Sequence, residues 1–534
     1  MSIMNIGITG LNAAQTSLFA TSNNIANVYT PGFNREVVVL GESKTSGVEV
    51  GAVNRQFDRF VAERLNSANG NLASLQAYKT QANQIDNLLA DADAGLAPLM
   101  QKFFGSLGDL AGAPAEPAAR EGVLGNASSM AAQMRSFDNY LHELQRTVNG
   151  GVRQEVAQIN QLAGQIANLN KEISLSVAAT GQPSNSLLNQ RDQVVAELSS
   201  KVDARVTVQD GGAYNVSIGN GQPLVSGDQA FTLEAVASAA DPERIVVGYR
   251  DSSNNLIEYR ENQFRSGALG GLMSFRSENL DKIQGQLGQL AITMAQSFNE
   301  QHREGTTLAG EAGGDFFSFG APSSFSNANN NSNASMDVSI TDLNELTSSS
   351  WDLTFNGTDW LVTQRETGQR QTIAPDGDGN LNFGGVQIAI NGTPEAGDRF
   401  RVNPVQRAAR DFNVLITDIS DIAAAASNDT GDNRNALALQ NLQSARVVGG
   451  NASFSQAYGA IVSDSGNRNA VVNANMSAQQ GLTAQLKALQ QSESGVNLDE
   501  EAANLVRYQQ YYQANAKVIE AGMTVLETIL SIAR

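Results

Sequence analysis

The chain has 534 residues, 41% hydrophobic and 17% charged, the balance of a folded protein long enough for several domains with real cores. Thirty-five basic residues against 54 acidic leave a net charge of −19, which repels nucleic acid and anionic lipid surfaces, so neither is expected as a main partner. There is no cysteine, and His142 and His302 are the only histidines; disulfides and thiolate metal sites are excluded, and His-based zinc or Ser/His/Asp machinery is argued against.

Residues 1–34 contain no Asp, Glu, Lys or Arg. They lack the basic start of a cleaved signal, and polar residues such as Asn12, Gln15, Thr16 and Asn23 interrupt them too often for a membrane span. A heptad stripe of Met4, Leu11, Leu18 and Ile25, with Gly7, Ala14, Thr21 and Val28 three residues after each, predicts a helix whose small positions allow close approach to another helix. Thr30, Pro31 and Gly32 end the pattern with turn chemistry.

Residues 56–90 and 118–200 read as largely helical, with Ile159, Leu162, Ile166, Leu169 and Ile173 on one stripe, and predict long antiparallel helices in a rod-like bundle. "GAPAEP" at 112–117 breaks the pattern once. From about 202 the period changes to two, and "ARVTVQ", "AYNVSIG" and "RIVVGYR" read as strands separated by Asp-Gly-Gly and Gly-Asn-Gly turns. Helix returns at about 266–303. A second β region is expected at 336–403, after the polar stretch "SNANNNSNAS" at 326–335, which reads as a mobile connection, and helices resume from about 405.

The last helix starts with Asn497 and Glu500, which read as a capping box, and with Asp499, Glu500 and Glu501 at the positive end of the helix dipole. Leu505, Tyr508, Tyr512, Asn515, Ile519, Gly522, Leu526 and Ile529 then follow spacings of three and four, while Arg507, Lys517, Glu520 and Glu527 fall off that seam. Both ends of the chain carry an apolar stripe of similar length, and each is the other's most economical partner. The expected fold is multidomain α+β. Terminal helices (1–40 and 496–534) pair as a coiled coil, a helical rod (41–201, 265–305 and 405–495) follows, and mainly-β outer domains (202–264 and 306–404) are inserted between helices.

Tests for chemistry give no catalytic, cofactor-binding or metal residues. "PDGDGNL" places Asp376, Asp378 and Asn380 at alternate positions, but the glycine and glutamate of a calcium loop are replaced by Leu381 and Gln387, so a hairpin turn is expected. "GNGQP" at 219–223 lacks the third glycine and following helix of a dinucleotide site. A non-enzymatic protein is expected.

The stretch "SNNIANVYTPGFNRE" at 22–36 resembles the N-terminal signature of the bacterial flagellar axial proteins, the rod, hook and hook-associated family. Asn23, Asn24, Ile25, Ala26, Asn27, Thr30, Gly32, Phe33 and Arg35 match it position by position, and "YQANAKVI" at 512–519 resembles the C-terminal signature. "AEPAAREGVL" at 115–124 and "NSLLNQRDQVVAELS" at 185–199 resemble internal segments of the members that join hook to filament, although "GFNRE" is closer to hook and rod usage. The resemblance implies a structural subunit exported unfolded by the flagellar type III apparatus without signal cleavage, with a hook or distal-rod subunit as the alternative. It further implies four partners: copies of itself in a ring, the hook protein, a second junction protein on the filament side, and an export chaperone on the C-terminal helix. The subunit interface is expected at Met4, Leu11, Leu18, Ile25, Leu505, Tyr508, Tyr512, Ile519, Leu526 and Ile529, with the terminal helices ordering as they assemble.

Overall fold

The computed structural model describes residues 2–532 apart from 45, 90–94, 220 and 430. Ten α-helices are found among the described residues: α1 (Ser2–Ala26), α2 (Arg59–Leu89), α3 (Leu96–Gly112), α4 (Pro117–Thr180), α5 (Asn185–Lys201), α6 (Gly267–Phe275), α7 (Asp281–Arg303), α8 (Arg434–Asn441), α9 (Phe454–Ser494) and α10 (Leu498–Ile532).

The spine is α4, whose 64 residues span about 96 Å at 1.5 Å per residue. Pro117 opens it where a missing N–H is harmless, and Gly181 closes it with a φ of +76°. Ile159, Leu162, Ile166 and Ile173 of the predicted stripe are buried, whereas Leu169 is half-buried. Asn170 takes the interior position beside it. Its Nδ2 donates to the carbonyls of Tyr214 (2.8 Å) and Gly227 (2.6 Å), and its Oδ1 accepts from Arg191 (2.9 Å) and the Tyr214 amide (3.0 Å). Asn160 bonds both backbone groups of Leu233 in the same way, and Asn149 bonds the Glu243 carbonyl and the Ile245 amide. Three amides on one helix thus fasten the first β insert to the rod, each satisfying strand groups that would otherwise be buried without partners.

That insert is two antiparallel meanders, one of four strands (Ala204–Val208, Tyr214–Ile218, Gln222–Ser226, Gln229–Ala230) and one of three (Glu234–Ser238, Asp241–Arg250, Leu256–Glu258). The two turns read from the sequence both appear, at 209–213 and 219–221, with residue 220 outside the described set. The second insert is a five-stranded sheet ordered Ser323–Ser326, Arg399–Asn403, Trp351–Phe355, Trp360–Gln364, Arg370–Ile373, beside a three-stranded sheet of Ser335–Ile340, Val386–Asn391 and Leu381–Phe383. Trp360 and Leu353 lie in its core, fully buried.

Five sequence expectations are corrected. Residues 36–55, assigned partly to the terminal-helix segment and partly to the rod, form a hairpin of β1 (Glu36–Glu42) and β2 (Val48–Arg55), because the β-branched residues Val37, Val38, Val39 and Val48, Val50, Val53 suit a strand pair. α-Helix resumes only at Arg434, since the described residues of 405–433 hold only a two-residue strand (Asn413–Val414) and a 3-10 turn (Ile419–Asp421), beside the phenylalanine cluster of Phe103, Phe298, Phe316, Phe317 and Phe412. The 326–335 stretch is tied down: Ala328 donates to the Ala239 carbonyl at 2.9 Å, Asn330 exchanges two bonds with the Arg399 backbone, and Asn331 donates to Asp398 at 3.0 Å. The Asp-Gly turn joins no hairpin. It carries the chain from one sheet of the second insert to the other, with Asp376 Oδ1 accepting from the amides of Asp378 (3.0 Å) and Asn380 (2.8 Å). Finally, Asn497 caps α10 by accepting from the Asp499 amide at 3.0 Å, but the Glu500 carboxylate bonds Arg35 at 3.0 Å instead of closing a box.

His302 is a core histidine: its Nδ1 lies 2.8 Å from the Gly314 carbonyl and its Nε2 accepts from the Ala423 amide at 2.9 Å, and burial pushes its pKa down, so it is neutral. At the joint between first insert, second insert and rod, a short π-helix (Arg276–Leu280) links α6 to α7. There Glu261 accepts from Arg244 (2.6 Å) and fully buried Arg276 (2.7 Å), while Arg244 also pairs with Asp281 at 2.8 Å. Burial alone would raise the Glu261 pKa, but the two guanidiniums hold it far below the ordinary carboxylate range.

Candidate assembly interface

The terminal helices pack against each other in antiparallel register. Gly7 faces Ile519 and Asn515, Gly10 faces Asn515, Asn24 reaches Glu501, and Gly522 lies against Ile3 and Met4. The residues of α1 that this packing buries are small: Gly7, Ala14, Ser17, Thr21 and Asn24, at spacings of three and four once half-buried Gly10 is included. A Cβ on Gly7 would sit 2.7 Å from Ile519 Cγ1, and one on Gly10 2.3 Å from Asn515 Oδ1, so the glycines make room for the Ile519 and Asn515 side chains of α10.

The large apolar residues expected at this interface occupy the flanks. Leu11, Leu18, Ile25, Leu505, Tyr508 and Ile519 are half-buried, while Met4, Tyr512, Leu526 and Ile529 are exposed. The expectation of stripes of similar length is also corrected. Because α1 begins opposite Gly522, the last turns of α10 have no α1 beside them, and Leu526 and Ile529 are 51% and 58% exposed on an overhang of about 13 Å. Packing within one chain therefore buries none of the ten predicted residues fully and leaves Met4, Tyr512, Leu526 and Ile529 exposed. A groove of about 290 Å³ opens between α1, α10 and the hairpin, lined by Ile6, Ala13, Leu40, Val48, Tyr508 and Tyr511.

The signature residues meet where the helix pair joins the rod. Buried Asn24 donates to the Glu36 carbonyl (2.9 Å) and to Glu501 Oε2 (3.2 Å), and accepts from the Glu36 amide (2.8 Å). Glu501, itself only 1% exposed, also accepts from Arg35 Nε at 2.7 Å. The Arg35 amide donates to the Ser494 carbonyl (2.9 Å), so the same residue grips the end of α9 and the start of α10. Asn23 donates to the Glu36 carboxylate (3.0 Å) and Asn27 to the Asn23 side chain (2.9 Å), and Thr30 donates to Asn27 (3.1 Å), shaping the turn that leads to Gly32. Gly32 has a φ of +78°, and a Cβ there would meet Gln193 at 2.8 Å. Ile25 and Phe33 are half-buried beside this network, and Ala26 is exposed.

Sequence reasoning missed the receiving side of the joint. Asn34 donates to Asn189 (2.7 Å), Asn185 donates to both Glu36 (3.1 Å) and the Val53 carbonyl (2.9 Å), and Arg55 pairs with Asp192 (2.6 Å). These residues lie on α5, inside the "NSLLNQRDQ" stretch, where the cluster of Asn and Asp on a helix was the available signal. The result is one polar joint that sets the hairpin, both terminal helices and the rod at a single angle.

An N-terminal helix without charge paired through a small-residue seam with the C-terminal helix, a helical rod and nested β inserts define an axial structural protein of the flagellar class. Family models agree in each part. "Flagella basal body rod protein" matches residues 4–34, "Flagellar hook-associated protein FlgK helical domain" 82–317, "Flagellar hook-associated protein 1, D2-like domain" 325–404 and "Flagellar basal body rod FlgEFG protein C-terminal" 490–532. The chain is 40% identical over 550 residues to flagellar hook-associated protein 1 of Salmonella typhimurium, covering 99% of this chain and all of that one, and 39% identical over 544 residues to that of Escherichia coli, covering 99% and 100%. It is similar to the solved flagellar hook junction protein FlgK from Burkholderia pseudomallei, with a TM-score of 0.76 at 27% identity, over 80% of this chain and all of that one. The chain belongs to the flagellar hook-associated protein 1 family.

Proposed function

We propose that this chain is a non-enzymatic structural subunit of the flagellum that joins hook to filament by polymerising through its terminal helices. The observation that carries the reading is the unfinished helix pair: α1 and α10 meet through glycines and small residues, while Met4, Tyr512, Leu526 and Ile529 stay exposed. Exposed apolar surface of that extent is satisfied when neighbouring copies cover it. The ten named interface residues act at those contacts. The signature residues act one step behind, by fixing the angle at which the pair leaves the rod.

On this reading residues 1–40 and 496–534 form the inner domain, the rod surrounds it, and the β inserts of 202–264 and 306–404 face outwards. Leu308 is the one exposed large hydrophobic side chain among the described residues of the second insert, which suits a solvated outer position, whereas the first insert exposes Val208, Phe231, Leu256 and Ile257. Neighbouring copies, a hook protein and a second junction protein are the partners, and an export chaperone covers the α10 overhang before secretion. Membership of the flagellar hook-associated family supports a place in the flagellum, and on this reading the chain reaches it by flagellar export. Because the pair buries little large apolar surface by itself, it orders fully on assembly. Backbone amide exchange on free monomer tests this: rapid exchange is expected at 2–28 and 500–530, and strong protection there would refute coupled ordering. In a motile bacterium lacking its own family member, the chain should restore filaments, whereas a version without 1–33 and 498–534 should leave bare hooks.

A further inference from the structure

The sequence holds five Asn-Gly pairs, at 69–70, 149–150, 220–221, 356–357 and 391–392. In such a pair the glycine amide nitrogen can attack the side-chain carbonyl carbon of the asparagine, because no Cβ shields the approach. The fold treats the pairs differently. Asn69 and Asn149 lie inside α2 and α4, where the helix ladder engages the amide that follows, and residue 220 is outside the described set. Asn356 and Asn391 are exposed at strand ends of the second insert, and both read Asn-Gly-Thr.

With the local sequence identical, their surroundings decide the chemistry. Asn356 begins the turn between Trp351–Phe355 and Trp360–Gln364. Its Oδ1 accepts from the amides of Thr358 (2.9 Å) and Asp359 (2.8 Å), and its own N–H donates to the Asp359 carbonyl (3.0 Å). Among the described residues, neither its Nδ2 nor the Gly357 amide has a hydrogen-bond partner, so leaving group and nucleophile are both free. The two donors sit where negative charge builds on Oδ1 when a nucleophile adds to Cγ, as in an oxyanion hole. Asn391 has the opposite arrangement. Its Nδ2 donates to Asp337 Oδ2 at 2.8 Å, which enriches the amide in electrons, and no donor among the described residues reaches its Oδ1.

We propose that Asn356 is a self-modification site, at which the turn activates its own asparagine for deamidation. The Gly357 nitrogen bonds to Asn356 Cγ and gives its proton to hydroxide. The Cγ–Nδ2 bond then breaks and Nδ2 leaves as ammonia, taking a proton from water, so that a succinimide ring closes. Water adds to either ring carbonyl and reopens it. Breaking the new bond to Cγ gives aspartate, and breaking the original peptide bond to Gly357 gives isoaspartate. Aspartate keeps both acceptor bonds and adds a charge to the outer insert. Isoaspartate inserts a methylene into the main chain between Phe355 and the fully buried Trp360, whose ring centroids lie 4.9 Å apart, and loosens that end of the sheet. The reaction needs only the folded second insert and is independent of assembly.

The test holds purified full chain in mildly alkaline buffer, either folded or in urea, and follows the Asn-Gly peptides by chromatography and mass spectrometry, which resolve asparagine, aspartate and isoaspartate. In the folded chain Asn356 should convert about tenfold or more faster than Asn391, and at least as fast as it does in urea, because the amide donors exist only in the fold. In urea the two should agree within about twofold, since they share Asn-Gly-Thr. Equal folded rates at 356 and 391, or a folded rate at 356 below its rate in urea, overturns the proposal. Product at 356 that is aspartate alone would also overturn it, because a ring that opens at either carbonyl yields both forms.

Discussion

Glu261→Gln probes how the inserts are held to the rod. The carboxylate accepts from Arg244 Nε (2.6 Å) and Nη2 (2.8 Å) and from Arg276 Nη2 (2.7 Å), and Arg276 is fully buried. Neutralising it leaves Asp281 as the carboxylate still paired with Arg244 and takes the counter-charge from Arg276. Removing one partner of a buried pair costs about 3–5 kcal/mol, and because the isosteric amide keeps one acceptor oxygen the lower end applies, about 3 kcal/mol. For a cooperative unit of some 150–250 residues this lowers the melting temperature by about 6 °C or more.

The sign of the pH dependence is set by the same geometry. The folded pKa of Glu261 lies below its unfolded value, so its stabilisation is complete above about pH 4.5 and is lost as pH falls below it. Urea unfolding followed by circular dichroism should show a gap between wild type and variant that is widest at pH 7 and shrinks steadily from pH 5 to pH 3. A gap below about 1 kcal/mol, or one that does not change with pH, would refute the argument that this carboxylate is held ionised by the two arginines.

Asp138 on α4 is 1% exposed, and burial pushes its pKa up to about 7, with Arg410 offsetting and Asp411 adding to the effect. The neutral form is favoured in the fold, so that contribution is complete below about pH 4 and disappears as pH rises through 7; Asp138→Asn should exceed wild type by about 2–4 kcal/mol at pH 8 and match it at pH 4 in urea titrations. Gly10→Leu drives side-chain atoms into Asn515 and the α10 backbone, costing the helix pair about 1–3 kcal/mol; the melt of the rod should be unchanged while filament attachment in cells is lost, and normal attachment would contradict the close-seam reading. For the joint, in assembled particles where the helix pair is ordered, Arg35→Gln and Glu501→Gln should each expose 27–35 to protease, and their double-mutant cycle should give a coupling of about 1–3 kcal/mol; independent effects would mean that the 2.7 Å contact contributes little.

Much of the architecture was legible without coordinates because periodicity reports burial locally. The stripe from Ile159 to Ile173, buried except at Leu169, and the change to period two near 202 follow from which face of an element meets the core, and the terminal heptads announced helices without telling which side is buried. The signature at 22–36 was readable as a pattern, but nothing in the sequence says that Asn24, Arg35 and Glu36 converge on Glu501, which lies more than 460 positions away. The bonded state of 326–335 was misread for a related reason, since its partners Asp398 and Arg399 are distant in the chain, whereas the hairpin at 36–55 was missed although it packs on the neighbouring α1.

What the sequence determined by itself was the class of each segment and the existence of two unfinished apolar ends, since helix period, turn residues and absence of charge act over a few neighbouring positions. Tertiary structure decided which side of α1 faces α10. Leu11 and Leu18 look like the core of any heptad, yet the small residues of α1 receive Ile519 and Asn515 of α10, and Leu11 and Leu18 lie half-buried at the rim of that seam.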